Sequence, residues 1–226
     1  MTKEIQIVKQ ILEWNEDVSA EVKKTLAEKH VTLVNVMGSP GGGKTSLITA
    51  LIAALRERYR IGVIEGDIAG DIDAKKIEAL GIPVVQLQTD GACHIEAMSI
   101  RHMLPMFDLD SLDVLFVENI GNLVCPAEFN IGEDLRISIL SVPEGDDKVR
   151  KYPLMFTETN ALVINKCDML PHFSFDMEQV MNDEKDANAK AEIFRVSTVT
   201  GEGVKEVVDW LEGKFAEKCA RMEVDA

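Results

Sequence analysis

The sequence contains no run of about 18 or more consecutive apolar residues, the length a helix needs to cross a bilayer, so a membrane-spanning role is not expected. Its first residues, MTKEIQIVKQILEWNEDV, set acids among the apolar positions and lack the layout of a secretory leader, which points to a cytoplasmic protein. Cysteine is scarce. The four residues at 93, 125, 167 and 219 are too unevenly spaced for a disulfide framework, and a cytoplasmic setting leaves their thiols reduced and free for metal. Positive charge is also short: 24 Lys and Arg stand against 39 Asp and Glu, a net charge of −15. That balance argues against a nucleic-acid or anionic-membrane partner, because such binding begins by neutralising phosphates. There is no internal repeat, no low-complexity tract and no cysteine- or histidine-rich leader. What remains, 226 residues with 46% hydrophobic side chains, is enough to bury one core without disulfide or metal staples.

Against these absences stands one dense stretch at 31–49, VTLVNVMGSPGGGKTSLIT, in which an apolar run breaks into glycines and resumes as a helical pattern. Gly38, Gly43, Lys44 and Thr45 satisfy G-x-x-x-x-G-K-[ST] in its expected strand-to-helix setting. Gly41, Gly42 and Gly43 let the backbone N–H groups turn inward around phosphate oxygens, and the helix that follows adds its positive N-terminal end. Lys44 is placed to neutralise the outer phosphates; Thr45, followed by Ser46, is placed to put a hydroxyl on Mg²⁺. A nucleoside triphosphate is the working ligand.

Residues 3–29 carry apolar positions at helical spacing (Ile5, Val8, Leu12, Val18, Val22, Leu26) and read as one or two amphipathic helices forming an N-terminal cap over 1–30. From 31 to 226, apolar strand-like runs alternate with helical stretches, which predicts an α/β fold: one P-loop G domain with a mainly parallel sheet covered by helices on both faces. Ligands then belong outside the strand C-terminal ends. Residues 133–141 suggest an added strand, the charged stretch Pro143 to Pro153 a mobile loop, and Val204 to Phe215 a closing amphipathic helix.

The stretch ALVINKCD ends in Asn165, Lys166 and Asp168, an N-K-x-D pattern. A carboxylate at Asp168 accepts from guanine N1–H and its 2-amino group, whereas adenine offers neither donor. Two such bonds to a charged acceptor, at about 1.5–3 kcal/mol each, favour GTP over ATP. Asn165 is placed to brace neighbouring loops and Lys166 to lie along the base; Ser197 and Thr198 occupy the position of a further base-contacting loop. Asp67 and Glu118 follow apolar strands on the phosphate-loop side, where either suits Mg²⁺ or the attacking water; a helix N-cap is the lesser reading of Asp67. Glu118-x-x-Gly121 is a variant of the γ-phosphate-sensing D-x-x-G. Asn122 stands where many GTPases carry a water-positioning glutamine, so slow intrinsic hydrolysis is expected, with Lys44, Asp67 and Glu118 as the catalytic set.

Cys93 and His94 adjoin at the start of a helical stretch, and Cys125 lies shortly after Gly121. Two thiolates and an imidazole suit Zn²⁺ or Ni²⁺ rather than Mg²⁺ or Ca²⁺. From spacing alone, packing cysteines with a surface histidine is the simpler reading. His102 reads as helix surface, and neither Cys167 nor Cys219 is assigned a metal.

The segments GSPGGGKT, IEGDIAGDIDAKKI, TDGACHIEA, VENIGNLVCPAEF, SVPEGDDKVRKYP, NKCDML and STVTGEG, in this order, resemble the HypB family of hydrogenase-maturation GTPases that help insert nickel. The resemblance covers nearly everything from Val31 onward. It implies a SIMIBI-class G domain that forms a homodimer with GTP and binds Ni²⁺ or Zn²⁺ through Cys93, His94 and Cys125 at the dimer interface. It further implies a HypA-like metallochaperone and a hydrogenase large-subunit precursor as partners, and makes Lys148 a candidate nucleotide contact. Gly70, Lys76, Asp90 and Val199 depart from the family pattern, as does the missing N-terminal nickel-binding motif. A urease-type nickel GTPase and a metal buffer with structural nucleotide are the alternatives; the Cys-Pro-His motif usual in the former is absent.

Overall fold

A computed structural model describes residues 3–66, 77–87, 91 and 93–225; Asp67, Gly70, Lys76 and Asp90 lie outside them. Seven strands form one sheet: β1 (Thr32–Gly38), β2 (Ile61–Glu65), β3 (Val84–Gln86), β4 (Val114–Glu118), β5 (Leu135–Ser141), β6 (Ala161–Asn165) and β7 (Glu192–Arg195). Their order is β3-β2-β4-β1-β5-β6-β7, and every pairing is parallel. The central strands read as unbroken apolar runs because both of their faces are covered. Val34 and Val36 of β1, with Val114 and Phe116 of β4, join a cluster on one face, while Leu33, Leu115 and Val117 join another on the opposite face.

Eight α-helices are described: α1 (Lys3–Glu28), α2 (Lys44–Leu55), α3 (Ala97–Met103), α4 (Cys125–Glu128), α5 (Lys148–Lys151), α6 (Pro153–Thr157), α7 (Met177–Ala187) and α8 (Val204–Asp225). Helix α2 buries Leu47, Ile48, Leu51, Ile52 and Leu55 with Val207, Val208, Leu211 and Phe215 of α8. The opposite face takes Val22 and Leu26 of α1 with Ile100 and Met103 of α3. The N-terminal segment is one helix, not two. Its Asn15 joins elements far apart in sequence, accepting from the Ala97 N–H at 3.0 Å and donating to the Asn130 carbonyl at 2.7 Å.

The stretch from Pro143 to Pro153, read from sequence as a loop, contains helical turns. Ser141 and Glu144 form a reciprocal capping box at its start, and the Lys151 ammonium pairs with Asp147 across α5. Cys93 and His94 lie in the turn ahead of α3, whose N-cap is Glu96, instead of at its first position.

Candidate functional site: a phosphate cleft beside a thiol and imidazole cluster

The glycine loop leaves the C-terminal end of β1, a strand flanked by β4 and β5, so the loops after these strands converge around it. A Cβ at Gly38 would meet the Ile139 carbonyl oxygen at 2.7 Å. Gly43 caps α2 with φ 101°, and a Cβ there would fall 2.3 Å from Asn165 Nδ2; backbone angle and crowding both require glycine. Lys44 is buried and its Nζ donates to the Ser39 carbonyl at 3.3 Å, which holds the ammonium over the loop.

The loop borders a cleft of about 570 Å³ lined by Gly41, Gly43, Lys44, Thr45, Ser46 and Thr198, with Glu118 and Lys166 among its other walls. The Thr45 hydroxyl donates to Glu118 Oε1 at 2.8 Å. This meeting of a hydroxyl with a carboxylate is the hard-oxygen donor set that suits Mg²⁺. In the β2–β4 register Glu65 lies beside Glu118, and both are buried, so a second carboxylate reaches this end of the sheet. Sequence reasoning passed over Glu65, whose one signal was its place at a strand end just before Gly66.

The residues after β6 close the far side. Asn165 Nδ2 donates to the Gly42 carbonyl at 3.2 Å, and Lys166, in the left-handed conformation at φ 60°, donates from Nζ to the Gly41 carbonyl at 2.6 Å. Asp168 Oδ1 accepts from the Ser197 hydroxyl at 2.6 Å. The Ser197 side chain is therefore buried against Asp168 and orients that carboxylate, while Thr198 lines the cleft. Lys148 lies outside the cleft lining, its Nζ 3.7 Å from Asp147.

The soft donors are linked to the phosphate loop through Asn122, which donates to the Cys93 carbonyl and bridges to Gly38. One ligand atom each from Cys93, His94 and Cys125 lies within 4.8 Å of the others. Cys93 Sγ is 3.4 Å from His94 Nδ1. Phe129 stacks on the imidazole at 4.0 Å between centroids and so fixes its plane. His94 Nε2 is buried without a hydrogen-bond partner among the described residues, although Glu96 Oε1 stands 3.5 Å away. The hydrogen bond with Cys125, followed by partial burial, pushes the Cys93 thiol above its usual range. Two sulfurs and an imidazole in reach of one point fit Zn²⁺ or Ni²⁺. His102 is exposed on α3, Cys167 is buried and Cys219 is exposed on α8, each apart from this cluster.

Asn122, which the sequence placed at a water-positioning site, turns its side chain toward the segments that carry Cys93 and Cys125. Its Nδ2 donates to the Cys93 carbonyl at 3.3 Å and its Oδ1 accepts from the Val124 N–H at 2.8 Å.

An all-parallel helix-covered sheet with G-x-x-x-x-G-K-T after a central strand and N-K-x-D after β6 defines a P-loop nucleotide-binding protein. More narrowly, the chain belongs to the CobW/HypB/UreG family, whose nucleotide-binding domain matches residues 32–195, and within it to the HypB family. The hydrogenase maturation factor HypB of Azotobacter vinelandii is 40% identical over 222 residues, spanning 98% of this chain and 73% of that protein. The crystal structure of HypB from Archaeoglobus fulgidus matches with a TM-score of 0.85 at 35% identity, over 90% of this chain and 99% of that one. HypB from Helicobacter pylori, solved in complex with nickel, matches with a TM-score of 0.84 at 36% identity, over 90% and 95% of the two chains.

Proposed function

We propose that this protein is a GTP-hydrolysing metallochaperone that carries nickel during maturation of [NiFe]-hydrogenase. The observation that carries the proposal is the convergence of Cys93, His94 and Cys125 within 4.8 Å, with Cys125 four residues beyond Gly121, which lies against Pro40 of the phosphate loop. In this reading Gly38, Gly41, Gly42 and Gly43 cradle the phosphates, Lys44 neutralises them, and Ser46 adds contacts at the start of α2. Thr45 and Glu118, with Asp67, hold Mg²⁺ and its waters. Asp168, oriented by Ser197, reads guanine, and Asn165 and Lys166 tie the base-binding turn to the phosphate loop. Gly121 senses the terminal phosphate. With Asn122 turned away from the cleft, positioning of the attacking water falls to Asp67, and turnover is slow.

Nickel is the cargo, and zinc competes for the same donors. Three ligands per chain leave a tetrahedral shell one short, so a water or a second copy completes it. GTP favours the homodimer, in which Lys148 of one copy approaches the nucleotide of the other. A HypA-like metallochaperone and the hydrogenase large-subunit precursor are the upstream and downstream partners. A nucleotide shifts metal transfer only through its differential affinity for the two states. The deciding experiment is equilibrium titration of Ni²⁺ and Zn²⁺ into the apo, GDP-bound and GTP-analogue-bound protein, with Cys93→Ala as control. Affinity that depends on nucleotide and disappears in the control is expected. Equal affinity in all three states, with partner binding also unchanged, would leave only a buffer.

A further inference from the structure

The loop from Glu118 to Cys125 runs between the phosphate cleft and the metal cluster, and its two ends are held differently. At the start, Asn119 is fully buried and its side chain is committed: Nδ2 donates to Asn35 Oδ1 at 3.1 Å, and Oδ1 accepts from the Ile120 N–H at 2.9 Å and the Ile95 N–H at 3.4 Å. Asn35 in turn donates to the buried Glu133, which pairs with Arg136. Ile95 directly follows His94, so this network gives the imidazole and the start of the loop one common footing in the core.

Farther along, the loop touches the phosphate loop through its backbone. A Cβ on Gly121 would meet Pro40 N at 2.8 Å, so the two loops lie in direct contact there. The next residue, Asn122, donates its own N–H to the Gly38 carbonyl at 3.2 Å and forms an isolated antiparallel bridge with Gly38. The same residue spends its side chain on the other site, as donor to the Cys93 carbonyl and acceptor from the N–H of Val124, which directly precedes Cys125. One residue is thus bonded to the phosphate loop, to the backbone of one thiol ligand and to the residue beside the other.

We propose that Asn122 is the positioning residue that couples the two sites, setting the placement of Cys93 relative to Cys125 according to what occupies the phosphate loop. A shift of residues 121–122 against Pro40 and Gly38 is carried by Nδ2 to the Cys93 carbonyl and by Oδ1 to the Val124 N–H, next to Cys125. His94 stays on its separate footing through Ile95 and Asn119. The ligand that responds is a thiophilic divalent cation, and the proposal rests on the nucleotide-gated reading above. It goes beyond that reading in assigning the coupling to one side chain that need touch neither nucleotide nor metal.

Two variants separate this role from a merely structural one. Asn122→Ala removes both side-chain bonds, whereas Asn122→Asp keeps an acceptor for Val124 and loses the donor to Cys93. The measured quantity is the ratio of Ni²⁺ dissociation constants with GDP and with a non-hydrolysable GTP analogue. The sulfur-to-nickel charge-transfer band serves as a second signal, and the ratio cancels any general effect of the added aspartate charge. A wild-type ratio on the order of tenfold is expected to fall to within about twofold of unity in both variants, with nucleotide affinity and nickel stoichiometry unchanged. A ratio that survives in both variants overturns the proposal alone. So does loss of the ratio accompanied by loss of nucleotide affinity, which would make Asn122 a nucleotide ligand. A wild-type ratio of unity with unchanged partner binding overturns both this proposal and the reading beneath it.

Discussion

Glu184 of α7 holds a carboxyl group where water does not reach: its side chain is fully buried, and neither oxygen has a hydrogen-bond partner among the described residues. Burial pushes its pKa from 4.5 up to about 7. The folded chain therefore keeps a proton that the unfolded chain releases at lower pH, and the sign of the linkage follows. The favourable contribution of the protonated form is complete below 4.5 and is lost as the pH rises through about 7. Glu184→Gln removes the ionisation while keeping the volume. It is expected to unfold at a higher temperature than the wild type near pH 8, with the gap closing toward about pH 5. Thermal unfolding of both proteins across that interval checks the point; parallel curves would show that Glu184 finds a partner when charged. Ser197 marks the opposite case, a buried polar group fully engaged, since its hydroxyl donates to Asp168 at 2.6 Å and its oxygen accepts from the Thr200 N–H at 3.2 Å.

Helix α1 docks through Val18, Val22 and Leu26, and Gly132 lies close against it. A Cβ there would stand 2.7 Å from Val22 Cγ1 and 2.8 Å from the Ser19 carbonyl oxygen, and φ is +88°. Gly132→Ala thus combines backbone strain with a wedge under the helix, and destabilisation of about 1–3 kcal/mol is expected in urea unfolding. Faster amide exchange should be concentrated in α1, because Asn15 ties it to Asn130 only two residues away. A change below about 0.5 kcal/mol would mean that α1 rides up without loss. The elements legible in the sequence were those whose pattern is local: apolar runs covered on both faces made the strands, and the spacing of Val18, Val22 and Leu26 made α1. The helical turns after Ser141 were only partly legible: Ser141 and Glu144 carry the local S-x-x-E pattern of a capping box, but a distant partner also holds them, Arg150 meeting Asp183 at 2.8 Å. The approach of Cys93 to Cys125 was open to two readings for the same reason. Sequence spacing carries no sign of the core footing that brings Ile95 to Asn119, and the composition of the 118–125 loop says nothing of which way Asn122 faces.

At the scale of the whole molecule, the net charge of −15 bears directly on the proposed homodimer. Two copies of so acidic a chain repel one another over distances comparable with the Debye length, which is about 10 Å at 0.1 M ionic strength. No described helix is long and apolar enough to cross a membrane. Dimerisation must then overcome a repulsion that salt weakens. A local attraction, such as Lys148 meeting the partner's nucleotide, is weakened by salt in the opposite sense. The global term involves every surface charge, whereas the local one involves a single lysine on each side, and exposed pairs contribute only about 0–1 kcal/mol. The dimer formed with a GTP analogue is therefore expected to tighten as NaCl rises from about 0.05 to 0.2 M, by a factor of a few in its dissociation constant. Sedimentation velocity over a concentration series at each salt, repeated with GDP, measures this. Weakening with salt would show that complementary charges dominate the contact. A chain that stays monomeric with both nucleotides at every salt would remove the homodimer from the mechanism and leave the fourth metal position to water or to a partner protein.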